Sequence, residues 1–244
     1  MHLTITTSYD ALSKQAAQDM LRLLQSLEQP LICTASGASP AGLYKELVHL
    51  VEMNGIDTSR WYFVGLDEWK GMNENDEGSS RAQVNEQLLQ PLHIQEDQLC
   101  FFDGRADDLN KECDRIEAFI QQHGGIDIAI LGIGVNGHIA MNEPGTDASL
   151  RSHIADIHPS TQQIGQKYFK EPRQIDTGVT LGMRTILEAK HLFLLASGPT
   201  KTEIMYKMLH EPISEALPAT LLRNHNHLNI YTDAEAGKLL QQHL

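Results

Sequence analysis

The sequence predicts an α/β fold built on a mostly parallel sheet flanked by helices. Three observations carry this. Short apolar runs rich in Ile, Val, Leu and Phe alternate with longer amphipathic stretches. Between the first two runs, Leu12, Ala16, Met20, Leu23, Leu24 and Leu27 recur at helical spacing and mark one buried face. Several runs also end in small-residue turns that open a new helical pattern. The expected strands, in order, are "LTITT", "PLICTA", "WYFVGL", "QLCFF", "IDIAILG", "HIADI", "GVTLG", "HLFLLAS" and "HLNIYTD". Another helix is expected over about 107–122, with Leu109, Cys113, Ile116 and Ile120 on one side and Gly124-Gly125 as its stop signal. There is no internal repeat, low-complexity tract or Pro/Ser-rich linker, so residues 1–244 read as one domain with a single large core.

Charge narrows the function. With 19 Lys+Arg against 32 Asp+Glu, the formal net charge is −13, and such a field repels polyanions. No nucleic-acid partner is expected, and any phosphate must be held locally. Cys33, Cys100 and Cys113 show neither a C-x-x-C nor a zinc pattern and read as reduced thiols of a cytoplasmic protein. The opening "MHLTITTSYDALSKQ" lacks a basic n-region and a long apolar run, so neither secretion nor a membrane partner is supported. Apolar helix faces are as compatible with a homo-oligomer as with core packing.

In open α/β sheets ligands bind beyond the carboxyl ends of the strands, and four such places carry unusual residues. The first is the turn Ser36-Gly37-Ala38-Ser39, after which Pro40 begins a helix. Small residues, backbone N–H groups and a helix N-terminus together suit a phosphate, although an ordinary strand-to-helix turn has the same composition. The Gly-Lys-Ser/Thr ending of a Walker loop is missing. The second is Asp67-Glu68. Adjacent residues of an extended chain point opposite ways, so at most one of these carboxylates faces a given pocket, and solvated loop acids are the plain alternative.

The third is "IDIAILGIGVNGHIAMNEPG", where Gly132, Gly134 and Gly137 spell G-x-G-x-x-G. A dinucleotide fingerprint needs a helix starting inside the glycine run and an acid about twenty residues on, where Asp156 falls. Asn142-Glu143-Pro144-Gly145 leaves no room for that helix, so the glycines read as a tight loop exposing His138, with Glu143 placed to orient it. A satisfied structural histidine is the alternative. His138, Glu143 and His153 lack a recognised metal-ligand spacing, and no metal is expected. The fourth is "LLASGPTKTEIMYKML", a second Ser-Gly turn followed by a helix with Lys201 in its first turn. A lysine is electrostatically misplaced at a helix N-terminus unless the two share a bound anion, or unless it is simply a surface residue.

"SGASPAGLY", "LDEW", "LGIGVNGHIAMNEPG", "TGVTLGMRTILEAKHLFLLASGPTK" and "PATLLRNHNHLNIYTDAEA" together resemble, in order and over nearly the whole chain, the glucosamine-6-phosphate deaminase/isomerase family. That family includes galactosamine-6-phosphate isomerases and 6-phosphogluconolactonases. The resemblance implies a three-layer α/β/α sandwich around a Rossmann-like sheet, conversion of an amino-aldose phosphate to a ketose phosphate with loss of ammonia, and no metal or organic cofactor. It makes Asp67 the carboxylate that moves a proton between C2 and C1, His138 the ring-opening group and Glu143 its orienting partner. Ser36, Gly37, Ala38, Ser39 and Lys201 match the phosphate site.

Two positions depart from the pattern. Asn136 replaces an aspartate before Gly-His, so a charge that would stabilise imidazolium becomes an amide and the ring-opening relay is altered. Lys167 stands where a phosphate-binding arginine is expected, keeping the charge but losing the bidentate fork. Asn136 and "LDEW" resemble the galactosamine branch, so galactosamine 6-phosphate, giving tagatose 6-phosphate and ammonia, is the expected substrate. Glucosamine 6-phosphate deamination, a 6-phosphogluconolactonase and a non-catalytic sugar-phosphate sensor are the alternatives. Against the sensor, no helix-turn-helix precedes the first strand. Arg81, in "EGSSRAQ", fits either the pocket or the surface.

Overall fold

The computed structural model describes residues 1–241, leaving the last three of the expected 1–244 domain outside the described residues. In chain order the elements are β1 (His2–Thr6), α1 (Tyr9–Leu24), β2 (Leu31–Thr34), α2 (Ala38–Asn54), β3 (Tyr62–Gly65), β4 (Asp67–Trp69), α3 (Ser80–Val84) and β5 (Leu99–Cys100). There follow α4 (Leu109–Gln122), β6 (Ile128–Gly132), β7 (His153–Asp156), α5 (Pro159–Gly165), β8 (Thr177–Thr180), α6 (Met183–Leu187), β9 (His191–Ala196), α7 (Thr202–His210) and β10 (Leu228–Asp233).

Seven strands form a wholly parallel sheet in the order β1-β10-β9-β6-β2-β3-β5. Its central strands are continuous apolar runs because helices cover both faces. Successive residues of β6 show the two sides. Ile128 and Ile130 pack with Leu12 and Met20 of α1 and Leu43 and Leu47 of α2. Ala129 and Leu131 pack with Ile116 and Ile120 of α4 and Met205 and Met208 of α7. That alternation is the three-layer α/β/α sandwich. From β2 the chain runs outward through β3 to β5, then crosses back to β6 and continues the other way through β9 and β10. The order reverses between β2 and β6, which opens a crevice beyond their carboxyl ends.

Four expected elements differ. "HIADI" and "GVTLG" do not join the main sheet. As β7 and β8 they pair antiparallel with β4 in a separate sheet of order β4-β8-β7. Ile154 of β7 is exposed while Ala155 is buried, the one-sided pattern of a sheet with only one covered face. Its covered side packs Trp69, Met141, Ala155, Ile157 and Ile175 in a small third core. The helix after the first small-residue turn starts at Ala38, two residues before Pro40, with Gly37 as N-cap at φ 92°. Leu27 lies beyond the end of α1.

The helix expected over 107–122 is α4. The Asp108 side chain caps it by accepting from the Asn110 and Lys111 N–H groups, and Gly124 and Gly125, both at positive φ, stop it. Among the described residues, no helix is long and apolar enough to cross a membrane.

Candidate active site

A cleft of about 320 Å³ occupies the crevice between β2 and β6. Ser36, Gly37, Ala38, Ser39, Asp67, His138, Lys167 and Lys201 all line it. Asn136 and Glu143 do not. A larger cleft of about 460 Å³, lined by Lys190, His191, His225 and His227, lies where β9 begins and just before β10, at the opposite end of the strands. Its lining has no carboxylate, and the one beside it, Asp127, is paired with Lys190, so the chemistry points to the smaller one.

The turn after β2 is locked before any ligand arrives. Gly37 N–H donates to Gln83 Oε1 at 3.1 Å, and Ser36 Oγ lies 3.0 Å from Ser80 Oγ. A Cβ on Gly37 would sit 2.9 Å from the Tyr168 hydroxyl oxygen, at a φ that already disfavours any other residue. Lys201 Nζ donates to the Ile133 carbonyl at 2.6 Å. Burial, with Lys167 adding to it, lowers the Lys201 ammonium to about 8. Lys167 lies over the Tyr168 ring, 4.9 Å from its centroid. At the second Ser-Gly turn, Ser197 lines the cleft, but Gly198 N–H is held by the Asp233 carboxylate at 3.0 Å.

The two adjacent carboxylates part company as the strand geometry requires. Asp67 faces the cleft, and among the described residues its side-chain partner is Ser80, whose hydroxyl donates to Oδ1 at 3.0 Å. Burial raises its pKa to about 7, against the Ser80 bond and with help from the Glu68 charge. Glu68 turns the other way and is buried. It accepts from Ser79 Oγ and from the N–H groups of Trp69, Ser80 and Arg81. Arg81, which fitted pocket or surface, is absent from the cleft lining and pairs with Glu96 at 2.8 Å.

The glycine run is a seat for an imidazole. Gly137, at φ 85°, returns the chain so that Gly134 N–H donates to the His138 carbonyl at 3.0 Å. A Cβ on Gly134 would lie 2.2 Å from the His138 ring, so the ring rests directly on bare backbone. No helix starts in this run; an isolated bridge between Ile139 and Asn142 follows, and Asp156 belongs to β7 of the small sheet. A dinucleotide's pyrophosphate therefore has no helix end here.

His138 and Glu143 lie at ion-pair distance and are also bridged by Asn136 in a three-residue chain. Asn136 Oδ1 lies 2.7 Å from His138 Nδ1, Asn136 Nδ2 donates to Glu143 Oε2 at 2.7 Å, and Nδ1 to Glu143 is 3.6 Å. The amide stands between imidazole and carboxylate because its short side chain reaches both. An amide oxygen only accepts, so the proton sits on Nδ1 and Nε2 keeps its lone pair. Desolvation lowers the His138 pKa, Glu143 opposes it, and Lys201 and His158 reinforce it, which favours the neutral ring at pH 7. Nitrogen-15 NMR at pH 7 is expected to show a protonated Nδ1 and a bare Nε2. Asn136→Asp is expected to raise the imidazole titration by placing a charge against Nδ1. A protonated Nε2 in the parent would contradict this arrangement.

Ser80, Gln83, Thr161 and Tyr168 line the cleft without having stood out in the sequence. Ser80 lay beside the only residue noted in its segment, Arg81. The others reach the cleft from α3, α5 and the turn that follows α5, and nothing in their local pattern signals it.

An anion turn, a carboxyl, a neutral imidazole and two ammonium groups at a topological switch point define the class: an open α/β sheet equipped for proton transfer on a small anion. The sequence matches the glucosamine-6-phosphate isomerases/6-phosphogluconolactonase family over residues 6–231, and the chain belongs to that family. It is 35% identical over 229 residues to a glucosamine-6-phosphate deaminase of Halalkalibacterium halodurans, covering 93% of each chain. The structure of a monomeric glucosamine-6-phosphate deaminase superposes with a TM-score of 0.94 at 32% identity, over 98% of this chain and 100% of that one. A 6-phosphogluconolactonase of Trypanosoma brucei superposes with a TM-score of 0.75 at 20% identity over 98% of each chain, a likeness of fold.

Proposed function

We propose that this protein is an amino-sugar 6-phosphate deaminase of the aldose–ketose isomerase type, working in the cytoplasm on glucosamine 6-phosphate. The observation that carries it is the meeting of Asp67, His138 and Lys201 around one cleft in a chain whose relatives carry that activity in their names. The bare Nε2 of His138 accepts the anomeric hydroxyl proton and returns it to the ring oxygen, opening the sugar. The C2 proton of the open aldehyde is then acidic. Asp67, titrating near 7, removes it while O1 takes a proton from the C2 ammonium, and then delivers it to C1. The resulting C2 imine adds water and releases ammonia, leaving fructose 6-phosphate. Asn136 and Glu143 hold the imidazole. Ser36 to Ser39, Lys167 and Lys201 take the phosphate, with no metal or organic cofactor in any step.

The galactosamine preference expected from Asn136 loses its main ground. The Asn136 side chain touches His138 and Glu143 and does not line the cleft, so it tunes the imidazole and has no contact through which to read C4. The test is ammonia release, side by side, from glucosamine 6-phosphate and galactosamine 6-phosphate, with 6-phosphogluconolactone hydrolysis as control. Faster release from the galactosamine ester would restore the galacto reading. Lactone hydrolysis alone would make the protein a lactonase, and binding without turnover a sensor.

Lys201→Ala is expected to weaken apparent substrate affinity by roughly 10–100-fold with a smaller change in turnover, as for loss of a charged hydrogen bond. Because the free ammonium titrates near 8 and a phosphate favours its charged form, affinity should be full below that value and fall as pH rises through it. An unchanged KM in the variant would remove Lys201 from the phosphate site.

A further inference from the structure

Asp67 is held by a neighbour that the proposed chemistry leaves unused. Ser80 Oγ donates to Asp67 Oδ1 at 3.0 Å and lies 3.0 Å from Ser36 Oγ, and all three residues line the cleft. We propose that Ser80 is a positioning residue for Asp67, and that Ser80 and Ser36 form a relay of two hydroxyls reporting the protonation state of that carboxyl to the anion turn. The inference rests on the reading of Asp67 as the base.

A hydroxyl has one proton to give. When Asp67 is ionised, Ser80 donates to it, so Ser36 must donate to Ser80 and offers a ligand only lone pairs. Once Asp67 has taken the C2 proton, the carboxylic acid can donate to Ser80. Ser80 then turns its proton to Ser36, and Ser36 turns its own to a ligand oxygen. No proton changes owner within the two serines; both hydroxyls only rotate. The substrate is thus held by one more donor while its proton is on the enzyme, and by one fewer after the proton has been returned to C1.

The groups around Asp67 do not supply another donor. Glu68 of β4 is an acceptor already bound by four donors. Cys33 of β2 and Tyr44 of α2 feel the Asp67 charge, and burial pushes the pKa of both well up, so they stay neutral, and the Tyr44 hydroxyl donates to the Ala35 carbonyl. His138, Lys167 and Lys201 line the same cleft but are not recorded as partners of the carboxyl. Among the described residues, Ser80 makes the one hydrogen bond to the Asp67 carboxyl.

The test combines a carbon-13 NMR titration of the Asp67 carboxyl, which needs no turnover, with pH–rate profiles. Ser80→Ala should move the titration and the acid limb of kcat/KM upward by about half a unit or more, and Ser80→Thr should restore both. Calorimetry with an amine-free phosphorylated sugar alcohol tests the relay itself. Acidification from above to below the Asp67 titration should strengthen binding more in the parent than in Ser80→Ala or Ser36→Ala. Superimposable titrations of parent and Ser80→Ala would overturn the positioning role, and equal affinity gains would overturn the relay. Should Ser80→Ala not fold, Ser36→Ala decides the relay, and Ser80→Cys, whose thiol is a weaker donor, decides the positioning: its Asp67 titration should rise, and a parental one would overturn the role. A parent that releases no ammonia, with the titration still shifted in Ser80→Ala, would refute the deaminase and leave the positioning role standing.

Discussion

Asp67→Asn is expected to lower ammonia release by about 10²–10⁴-fold while leaving binding of the phosphorylated sugar nearly intact. The amide keeps the size of the carboxyl, and its oxygen still accepts from Ser80, so the cleft wall is preserved. What it lacks is a lone pair basic enough to take a carbon-bound proton. The parent should show the matching pH signature. A carboxyl titrating near 7 is active as a base only when ionised, so kcat/KM should rise as pH passes upward through that value and fall away below it. Burial is the main cause of the raised value, and it carries a chemical advantage: a base matched to neutral pH removes a proton more effectively than one titrating near 4. Calorimetric affinity for the substrate, measured beside turnover, separates the two effects. Ammonia release at the parental rate would dismiss Asp67 from the chemistry.

Gly134→Ala is the second large effect, and it acts without touching a titrating group. Its Cβ would lie 2.2 Å from the His138 ring atoms, well inside contact distance, so the ring has to leave its seat. The ring is tied at Nδ1 to Asn136, and tilting it moves Nε2 away from the sugar. Misplacement of a catalytic group by about 1 Å costs on the order of 10²-fold, and that loss is expected in kcat with a lesser change in KM. The melting temperature should fall only modestly, because the loop is held by backbone bonds the variant keeps. Gly132→Ala is the control: a Cβ there meets Ser39 at 3.6 Å, an ordinary contact, and should be far milder. Equal effects of the two substitutions would show that the glycine run serves the backbone and not the imidazole.

The layers of the fold were legible because they rest on burial. β2, β6 and β9 are continuous apolar runs, and a strand covered on both faces can hardly be written otherwise. β7 and β8 were legible as strands but not as members of a separate sheet, since four residues do not say which partner they meet or in which direction. The site divides in the same way. Asp67, His138 and Lys201 follow strand ends, so position exposed them, and unusual placement did the rest. Ser80 and Thr161 arrive from short helices brought over the cleft by tertiary packing, which no local pattern encodes. Asn136 was visible as an oddity, yet its place between imidazole and carboxylate depends on a distance no sequence supplies.

One edge of the main sheet also bears on how the molecule is made. Among the described residues β1 pairs with β10 alone, His2 beside Asn229 and Thr6 beside Asp233, so its ladder has no partner until Leu228–Asp233 has left the ribosome. β1 is therefore among the last strands of this sheet to dock. Nascent chains halted short of Leu228 would leave that segment unprotected against protease while the strands from β2 to β9 can already assemble.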